Sequence, residues 1–411
     1  MDSTGKQLPF VLVCPLNWGL GHATRCVPVI RAFSRAGAQV GVAGDGPALA
    51  FLKASFPKGV SFYRLPGKTI TYSRNRGGCS MVLKLLWQFP GLLYSVFAEH
   101  RRLRALIRET GAGIVVSDNR YGLYSTMAIA IFMGHQLFLR APKGLGWMEG
   151  LINEVNHRYI NRFHYCWVPD FPGPENLSGE LSHSSGEKPE GAAADAPSAP
   201  ARFLAVKKGP PEYTRFVGTL SRFSGMNPER LENPLPAGFP VSFYLVLLSG
   251  PEPQRGLLER ELDSQFSKAG HAVVFVRGVV MGGSSDSARE STKPKAIWFD
   301  HLPDPPLAWL IRNSRLVVCR SGYSTIMDLS VFGKRALLVP TPGQTEQEYL
   351  GRLMEERGWV ACTPQDTLCL EWQLDAAGAM KGIPRLEDKG SLLAEAVEEI
   401  LHPGGAPGNT P

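Results

Sequence analysis

The stretch "VVCRSGYSTIMDLS", residues 317–330, joins a short apolar run to a segment with helical spacing. A run this apolar is typical of a strand in a parallel sheet whose two faces are both covered by helices. Small hydroxyl residues at the junction, such as Ser321 and Ser324, favour the N-terminus of a helix. The stretch therefore predicts one strand–turn–helix unit of an open α/β sheet.

Apolar runs of the same kind recur along the chain, with helix-sized segments between them. In the first half they are "FVLVCPL", "AQVGVAG", "VSFYRLP", "GIVVSD", "HQLFLR" and "YCWVPD"; in the second half they are "FYLVLLSG", "AVVFVRG", "AIWFDHL", "RLVVCRSG" and "RALLVP". The pattern stops once and then restarts. It predicts two Rossmann-like, doubly wound α/β domains that face each other across a cleft.

Breaks in this pattern predict the domain boundaries. The first domain covers 1–226 and contains a flexible insertion at about 178–201, whose composition is too poor in large apolar residues to pack. The segment "NPERLENPLPAGFP", 227–240, is the predicted linker, and the second domain covers 241–390. The end of the chain, 391–411, contains an amphipathic helix and a tail that either domain can accommodate.

The composition is that of a folded protein with more than one core. Of the 411 residues, 44% are hydrophobic and 20% are charged, and the formal net charge is +7. The seven cysteines form no C-x-x-C pair, which indicates reduced thiols and argues against a structural zinc site. The N-terminal apolar run leads into a glycine turn, so we interpret it as the first strand rather than a signal peptide and expect a cytoplasmic protein.

The junction in the opening stretch has the features of a phosphate site. Unpaired backbone N–H groups and the positive end of the helix dipole attract an anion, and hydroxyls add donors. The predicted donor-site residues here are Arg320, Ser321, Gly322, Ser324 and Thr325, with a charge-assisted contact expected from Arg320. Asp328, one turn further along the helix, is placed to accept hydrogen bonds from a ribose. The alternative is a capped helix with a solvated Asp328.

A second glycine turn, "NWGLGHATRC" at residues 17–26, follows the first strand. A dinucleotide fingerprint needs a third small residue for helix packing, and Thr24 occupies that position, which disfavours a nicotinamide site. A structural histidine in an ordinary turn remains an alternative. The tip of such a turn faces the ligand cleft, however, so His22 is the predicted general base. Asp118, at the end of "GIVVSD", is predicted to orient either His22 or the acceptor.

A Pro/Gly-rich loop in "LLVPTPGQTEQEYLGRLMEERG" follows a further strand. Four polar residues lie close to it in sequence, where their side chains can bind sugar hydroxyls: Gln344, Glu346, Gln347 and Glu348. No D-x-D pair stands at a strand end, which favours chemistry without a metal ion, and we expect no cofactor besides the co-substrate.

The motifs "GLGH", "VVCRSGYSTIMD" and "VPTPGQTEQEY" together resemble the family 28 glycosyltransferases of the two-domain GT-B fold. The resemblance implies that the second domain holds a UDP-sugar, with Ser324 or Thr325 at the phosphates, Asp328 at the ribose and Gln347 at the sugar. It also implies that the loop "LLSGPEPQ" turns Ser249 and Gly250 toward the phosphates, that Gly21 lines the donor side of the cleft, and that His22 acts on the acceptor. Asp328 stands where the family often has glutamate, and Glu348 where the peptidoglycan enzyme has a second glutamine, so donor sugar and acceptor stay open.

Residues 74–108 form a basic segment with an apolar, aromatic centre. Seven Arg or Lys residues accompany a single acid, Glu99. Such a segment favours contact with an anionic membrane surface, and its predicted membrane-facing residues are Lys84, Trp87, Arg101, Arg102 and Arg104. The alternative is a core helix pair whose arginines extend into solvent. Nucleic acid is disfavoured because no binding module accompanies the basic residues.

We therefore expect an inverting, metal-independent hexosyltransferase that uses a UDP-sugar and a hydroxyl acceptor, which is lipid-linked if the basic segment lies on the inner face of the plasma membrane. N-acetylglucosamine is a candidate sugar. Two alternatives stay open: a nucleotide-sugar 2-epimerase of the same fold, and a non-catalytic sugar-nucleotide-binding protein. The sequence leaves the oligomeric state undecided.

Overall fold

A computed structural model describes residues 8–67, 78–141, 145–183, 213–279, 289–290, 295–386 and 391–402. For residues 78–90, 92–93, 289–290 and 391 it describes the backbone alone. Within these ranges the chain forms two parallel-sheet α/β domains, which confirms the predicted fold class.

The first sheet is assembled from the short, buried strands that the apolar runs predict. Its strands are β1 (Phe10–Cys14), β2 (Val40–Gly44), β3 (Val60–Arg64), β4 (Ala112–Asp118), β5 (Ile129–Met133), β6 (Tyr165–Val168) and β7 (Thr214–Phe216). Their order in space is β3-β2-β1-β4-β5-β6-β7, and all neighbours pair in parallel. Its helices are α1 (Leu20–Arg35), α2 (Gly46–Ser55), α3 (Gly78–Thr110) and α4 (Glu149–Ile160).

The second sheet repeats this plan. Its strands are β8 (Tyr244–Leu247), β9 (Val273–Val276), β10 (Arg289–Glu290), β11 (Ala296–Phe299), β12 (Leu316–Cys319), β13 (Ala336–Leu338) and β14 (Ala361–Cys362), in the order β10-β11-β9-β8-β12-β13-β14. Pairing is parallel except between β10 and β11. Its helices are α5 (Gln254–Ala269), α6 (Asp304–Asn313), α7 (Tyr323–Phe332), α8 (Thr345–Glu356) and α9 (Leu370–Ala379).

One predicted strand is wrong. The run "HQLFLR" at 135–140 is not a strand; β5 lies just before it, at Ile129–Met133. Residues of the predicted run instead contact the segment around Leu181. The backbone N–H of Phe138 donates to the carbonyl of Leu181, and the side chain of Leu137 is buried. Both runs are apolar and adjacent, so the apolar pattern by itself does not decide which one joins the sheet.

The predicted insertion at 178–201 also needs correction at its start. Ser178, Leu181 and Ser182 are buried, and the first of these donates its backbone N–H to the carboxylate of Asp170. Residues 178–183 are therefore part of the folded domain, and the rest of the predicted insertion, 184–201, lies outside the described residues.

The C-terminal helix α10 (Ser391–Leu401) returns to the first domain. It packs against α1, and Ala396, Val397 and Ile400 join the same buried apolar cluster as Val27. At its exposed side Arg215 of β7 forms an ion pair with Glu395 at 3.3 Å. The amphipathic pattern predicted the helix, and its apolar face is buried on a surface of the first domain.

Candidate active site

The candidate base lies where the first sheet reverses its order. Because β2 and β4 flank β1 on opposite sides, the connections after β1 and β4 diverge and leave a crevice, which is where open α/β sheets bind ligands. His22 lies in the first turn of α1, after β1, and Asp118 is the last residue of β4. The Nδ1 atom of His22 is 2.9 Å from Oδ2 of Asp118. The structure thus brings together the two residues for which the sequence predicted catalytic roles.

Arg25 is a third member of this group that the sequence-based interpretation missed. Its Nε donates to Oδ1 of Asp118 at 2.6 Å, so that the carboxylate binds Arg25 through one oxygen and His22 through the other. Arg25 and Asp118 are both buried, while the His22 side chain is 18% exposed. The available signal was the spacing H-x-x-R at the start of a helix, because residues three apart lie on one face.

The charges within this group determine the protonation state of the base. Burial alone would raise the pKa of Asp118, but Arg25 and His22 outweigh it and lower that pKa below its ordinary value, so Asp118 is a carboxylate. Burial and the neighbouring Arg25 lower the pKa of His22, and Asp118 opposes them only in part. His22 is therefore neutral near pH 7. Nδ1 of His22 faces both Oδ2 of Asp118, at 2.9 Å, and Nη2 of Arg25, at 2.8 Å. In the tautomer that donates its Nδ1 proton to the carboxylate, Nε2 carries the lone pair that a general base needs.

A series of side-chain contacts leads from Arg25 into the second domain. Nη1 of Arg25 is 3.4 Å from Nδ1 of His135, and Nε2 of His135 is 2.8 Å from Oε1 of Glu346 in the first turn of α8. The ring of His135 stacks on Tyr323 of α7, with centroids 4.0 Å apart and planes inclined by 10°. These contacts join residues from three helices and a loop that lie far apart in sequence, so no local sequence pattern could have predicted them.

Gly21 is the point where the N-termini of α1 and α7 meet. Oγ of Ser324 donates to the carbonyl oxygen of Gly21 at 3.0 Å. A Cβ on Gly21 would lie 2.9 Å from that Oγ, closer than Cβ atoms approach other atoms, so only glycine fits without a shift. The positive ends of two helix dipoles therefore point into one cleft, which is a favourable place for an anion.

The predicted donor loops lie together at one edge of the second sheet. β8 and β12 are neighbours with Leu247 opposite Cys319, so the loop with Ser249 and Gly250 lies beside the N-terminus of α7. The second sheet also reverses its order between these two strands. Ser249 and Gly250 are exposed, and Gly250 has a φ of 94°, which suits glycine. Gly322 is the N-cap of α7, Thr325 lies half-buried in its first turn, and Gln344 is the N-cap of α8.

The predicted anion contact of Arg320 is corrected by the structure. The guanidinium is buried, and its two terminal nitrogens donate to the carbonyl oxygens of Val339, Pro340 and Gln254 and to the side chain of Gln365, at 2.8–3.1 Å. Burial lowers the pKa of Arg320 to about 10. Since these nitrogens are fully engaged, Arg320 braces the loops around the site rather than contacting a phosphate.

Two further predicted side chains are also engaged within the protein. The hydroxyl of Ser321 donates to the carbonyl of Gln347 at 2.7 Å, and Oε1 of Gln347 accepts from the backbone N–H of Thr341 at 2.9 Å. Both contacts shape the loop between β13 and α8. The hydroxyl of Ser321 and the amide oxygen of Gln347 are thus not directed at a donor in this conformation.

Asp328 is a half-buried acid at the boundary between the domains. Ser221 donates its hydroxyl to Oδ1 of Asp328 at 2.6 Å. Burial raises the pKa of Asp328 to about 6, although the nearby Arg222 and the Ser221 bond act in the opposite direction. An acid whose surroundings disfavour its charged form is a candidate for a functional-site residue. Its contact with a ribose stays a prediction.

The basic segment forms the long helix α3. Arg101, Arg102 and Arg104 are exposed, as are Tyr94 (74%) and Phe97 (66%) one to two turns before them. The lone acid turns inward, where Oε1 of Glu99 pairs with Arg120 at 3.0 Å. Lys84 and Trp87 lie in α3, but their side chains fall outside the described residues.

No helix among the described residues is long and apolar enough to cross a membrane. No group of three or more His, Cys, Asp or Glu side chains within those residues is arranged to hold a metal ion.

Comparisons with known proteins agree with this architecture. Residues 279–379 match the glycosyltransferase family 28 C-terminal domain. An uncharacterized glycosyltransferase of Methanosarcina mazei is 23% identical over 354 residues, which are 83% of this chain and 82% of that protein. The glycotransferase of kitacinnamycin superposes with a TM-score of 0.55 at 13% identity, over 96% of this chain and 95% of the other. SnogD, a glycosyltransferase of Streptomyces nogalater, gives a TM-score of 0.55 at 14% identity, over 96% and 99%.

Shorter segments of the chain match transferases of one specific activity. The UDP-N-acetylglucosamine–N-acetylmuramyl-(pentapeptide) pyrophosphoryl-undecaprenol N-acetylglucosamine transferase of Desulforudis audaxviator is 38% identical over 81 residues, 19% of this chain and 22% of that protein. Its counterpart in Caulobacter vibrioides is 36% identical over 102 residues, 24% and 27% respectively. These matches span about a quarter of each relative. The solved structures establish the two-domain GT-B fold, and the family model together with the Methanosarcina relative establishes the class of activity.

Proposed function

We propose that this glycosyltransferase moves a hexose from a UDP-sugar to a hydroxyl acceptor by a single displacement that inverts the anomeric carbon, without a metal ion. The observation that carries the proposal is the His22–Asp118 pair at 2.9 Å, which lies in the crevice of the first sheet. His22 directly follows Gly21, whose carbonyl accepts from Ser324 at the N-terminus of α7. A base on one side and an anion site on the other are what a direct displacement requires.

In the proposed reaction, Nε2 of His22 removes the proton of the acceptor hydroxyl while that oxygen attacks the anomeric carbon. The bond from this carbon to the diphosphate oxygen breaks, and the UDP leaves on the opposite face with the bonding electron pair. Asp118 stabilises the imidazolium that forms. A positioned base of this kind contributes roughly 10²–10⁴-fold in rate.

The leaving diphosphate gains negative charge, which the second domain is suited to stabilise. Backbone N–H groups at the start of α7 and the positive end of its dipole act as fixed donors. Ser249, Gly250 and Thr325 lie at the same edge and complete the proposed donor site. This arrangement supports the metal-independent part of the proposal, which predicts full turnover in excess chelator.

N-acetylglucosamine is the first sugar to test, since the partial matches to UDP-N-acetylglucosamine-dependent transferases support it. We propose further that the acceptor is lipid-linked and that α3 contacts an anionic membrane. The exposed Tyr94 and Phe97 with the following arginines support this assignment.

A panel of nucleotide sugars, scored by thermal shift and then by product analysis, tests the function. The cognate donor should raise the melting temperature by mass action, and incubation with it should release UDP. Conversion of the donor into its epimer without release of UDP would favour the epimerase instead, and binding without any reaction would favour a non-catalytic protein.

Flotation with liposomes tests the membrane contact. We expect the wild type to float with vesicles that contain anionic lipid and not with neutral ones. A variant with Arg101→Gln, Arg102→Gln and Arg104→Gln should lose this binding, because each basic residue near the surface contributes about 1 kcal/mol. Equal flotation of both proteins would contradict the assignment.

A further inference from the structure

A chain of hydrogen bonds connects the catalytic pair of the first domain to a carboxylate of the second. Arg25 contacts Asp118 at 2.6 Å on one side and His135 at 3.4 Å on the other, and His135 contacts Glu346 at 2.8 Å. Asp118, Arg25 and His135 are buried, and the side chain of Glu346 is 22% exposed. We call these four side chains the interdomain chain.

The donors and acceptors of the interdomain chain have one consistent direction. Arg25 only donates, so Nδ1 of His135 accepts from it. Nε2 of His135 then carries the proton and donates it to the carboxylate of Glu346. His135 is held in this orientation by its stacking on Tyr323, which belongs to the second domain as well. The ring of His135 is therefore fixed only while the two domains are in contact.

The charges along the chain alternate. Burial opposes ionisation of Glu346, but the bond from His135 and the positive charge nearby lower its pKa below the ordinary value, so it is a carboxylate. Arg25 thus lies between two carboxylates, one from each domain. Without Glu346, the single positive charge of Arg25 would be balanced by Asp118 alone, and little attraction would remain for the imidazolium that His22 becomes during transfer.

We propose that Glu346 is a positioning residue of the second domain that balances the charge of Arg25 through His135 and so makes His22 an effective base only when the domains are closed. This inference rests on the proposed role of His22. It explains why an acid, rather than a neutral residue, lies in the first turn of α8 opposite the catalytic pair. It also couples base strength to closure, which limits loss of the donor to water while the cleft is open.

The groups that face His22 give the sign of each expected effect. From its own domain they are Arg25, which disfavours the imidazolium, and Asp118, which favours it. From the second domain it is Glu346, which favours the imidazolium; His135 lies between Arg25 and Glu346. Removing the charge of Arg25 should therefore raise the pKa of His22, and removing the charge of Glu346 should lower it.

The experiment compares Glu346→Gln, Arg25→Gln and the control Glu356→Gln. The control removes the same charge from the same helix, about 15 Å further along its axis at 1.5 Å per residue, at an exposed position. Two readouts are used: the pH dependence of kcat/KM for UDP release, and the titration of His22 followed by NMR of its imidazole, assigned by comparison with His22→Ala. Affinity for UDP, measured by calorimetry, shows whether each variant is folded.

In Glu346→Gln, we expect the acidic limb of the kcat/KM pH profile and the titration of His22 to move to lower pH by roughly half a unit or more. In Arg25→Gln, both should move to higher pH. At pH 7.5 the kcat of Glu346→Gln should fall by roughly three- to tenfold, since a weaker base transfers protons less effectively. Glu356→Gln should match the wild type. If Arg25→Gln does not bind UDP, Glu346→Gln and its control still decide the question.

Two outcomes would overturn the inference: an unchanged His22 titration in Glu346→Gln, or the same shift in Glu356→Gln. Failure of the proposed function has a different signature, because then the wild type itself would release no UDP from any nucleotide sugar. The NMR titration would still report whether Glu346 acts on His22.

Discussion

At the scale of single residues, the proposed chemistry depends most on His22, which removes the proton of the acceptor hydroxyl. It is neutral, bonded to a buried carboxylate and partly exposed to the cleft. We predict that His22→Ala lowers kcat for transfer by roughly 10²–10⁴-fold. Affinity for UDP should stay within a factor of about two, because the base belongs to the acceptor side of the cleft. Steady-state kinetics and calorimetry check both values, and transfer that survives within a few-fold would remove His22 from the mechanism.

Asp328 gives a second prediction at this scale. Its pKa is about 6 in the folded chain against an ordinary value of 3.8. The folded state therefore binds the proton more tightly than the unfolded state, so this residue reduces stability as the pH rises from about 4 to 6, and the penalty persists above pH 6. Asp328→Asn removes it while keeping an oxygen that accepts from Ser221.

We expect Asp328→Asn to raise the free energy of unfolding by about 1–2 kcal/mol at pH 8 and by much less at pH 4. If the carboxylate binds the ribose of the donor, the same variant should bind UDP at least tenfold more weakly. Urea unfolding at the two pH values and calorimetry measure these effects. A variant that is no more stable at pH 8 would contradict the assigned burial cost, and unchanged UDP affinity would contradict the ribose contact.

Arg320 shows that a sequence pattern does not determine the direction in which a side chain at a strand end points. The pattern correctly located it beside a helix N-terminus, where a cation suits a phosphate. It contained no information about the carbonyl groups of neighbouring loops, which lie far away in sequence and take up the guanidinium. Whether an arginine points into a cleft or back into the protein depends on those loops.

At the scale of elements, the contact between α1 and α7 should control how closely the domains approach. Gly21 lies within a helix, so alanine there would favour the helix itself by about 1 kcal/mol. Its Cβ would nevertheless press on Ser324 at 2.9 Å. We predict that Gly21→Ala lowers kcat/KM for transfer by about tenfold or more, with the loss arising from the domain contact alone.

A double-mutant cycle checks this prediction. In a Ser324→Gly background the added methyl group has room, so Gly21→Ala should cost little beyond the effect of Ser324→Gly. If Gly21→Ala costs the same in both backgrounds, the close approach of the two helices is not what limits the enzyme.

The strands could be predicted where their burial requires a local run of apolar residues. Continuous apolar runs predicted β1, β4, β8 and β12, and these strands position His22, Asp118 and the α7 loop. The short β7 and the two-residue β10 and β14 have too few apolar residues to be distinguished from loops. The choice of β5 over the neighbouring apolar run depended on tertiary packing.

At the scale of the whole molecule, the second domain completes the site of the first. His22 and Asp118 could be paired from the sequence, because both follow strands at the same edge of one sheet. His135 and Glu346 could not, since their contact depends on how two separately encoded domains dock. The return of α10 to α1 adds a further connection between the end of the chain and the first domain.

A single displacement assisted by His22 fixes the configuration of the first sugar released. With the α-linked donor identified in the thermal-shift panel and water as the acceptor, time-resolved proton NMR of the anomeric signal reports the first product formed. We expect the β-anomer to appear first in the wild type, and His22→Ala to produce it at least about 100-fold more slowly. Initial formation of the α-anomer would exclude a single displacement, and an equal rate in His22→Ala would exclude His22 as its base.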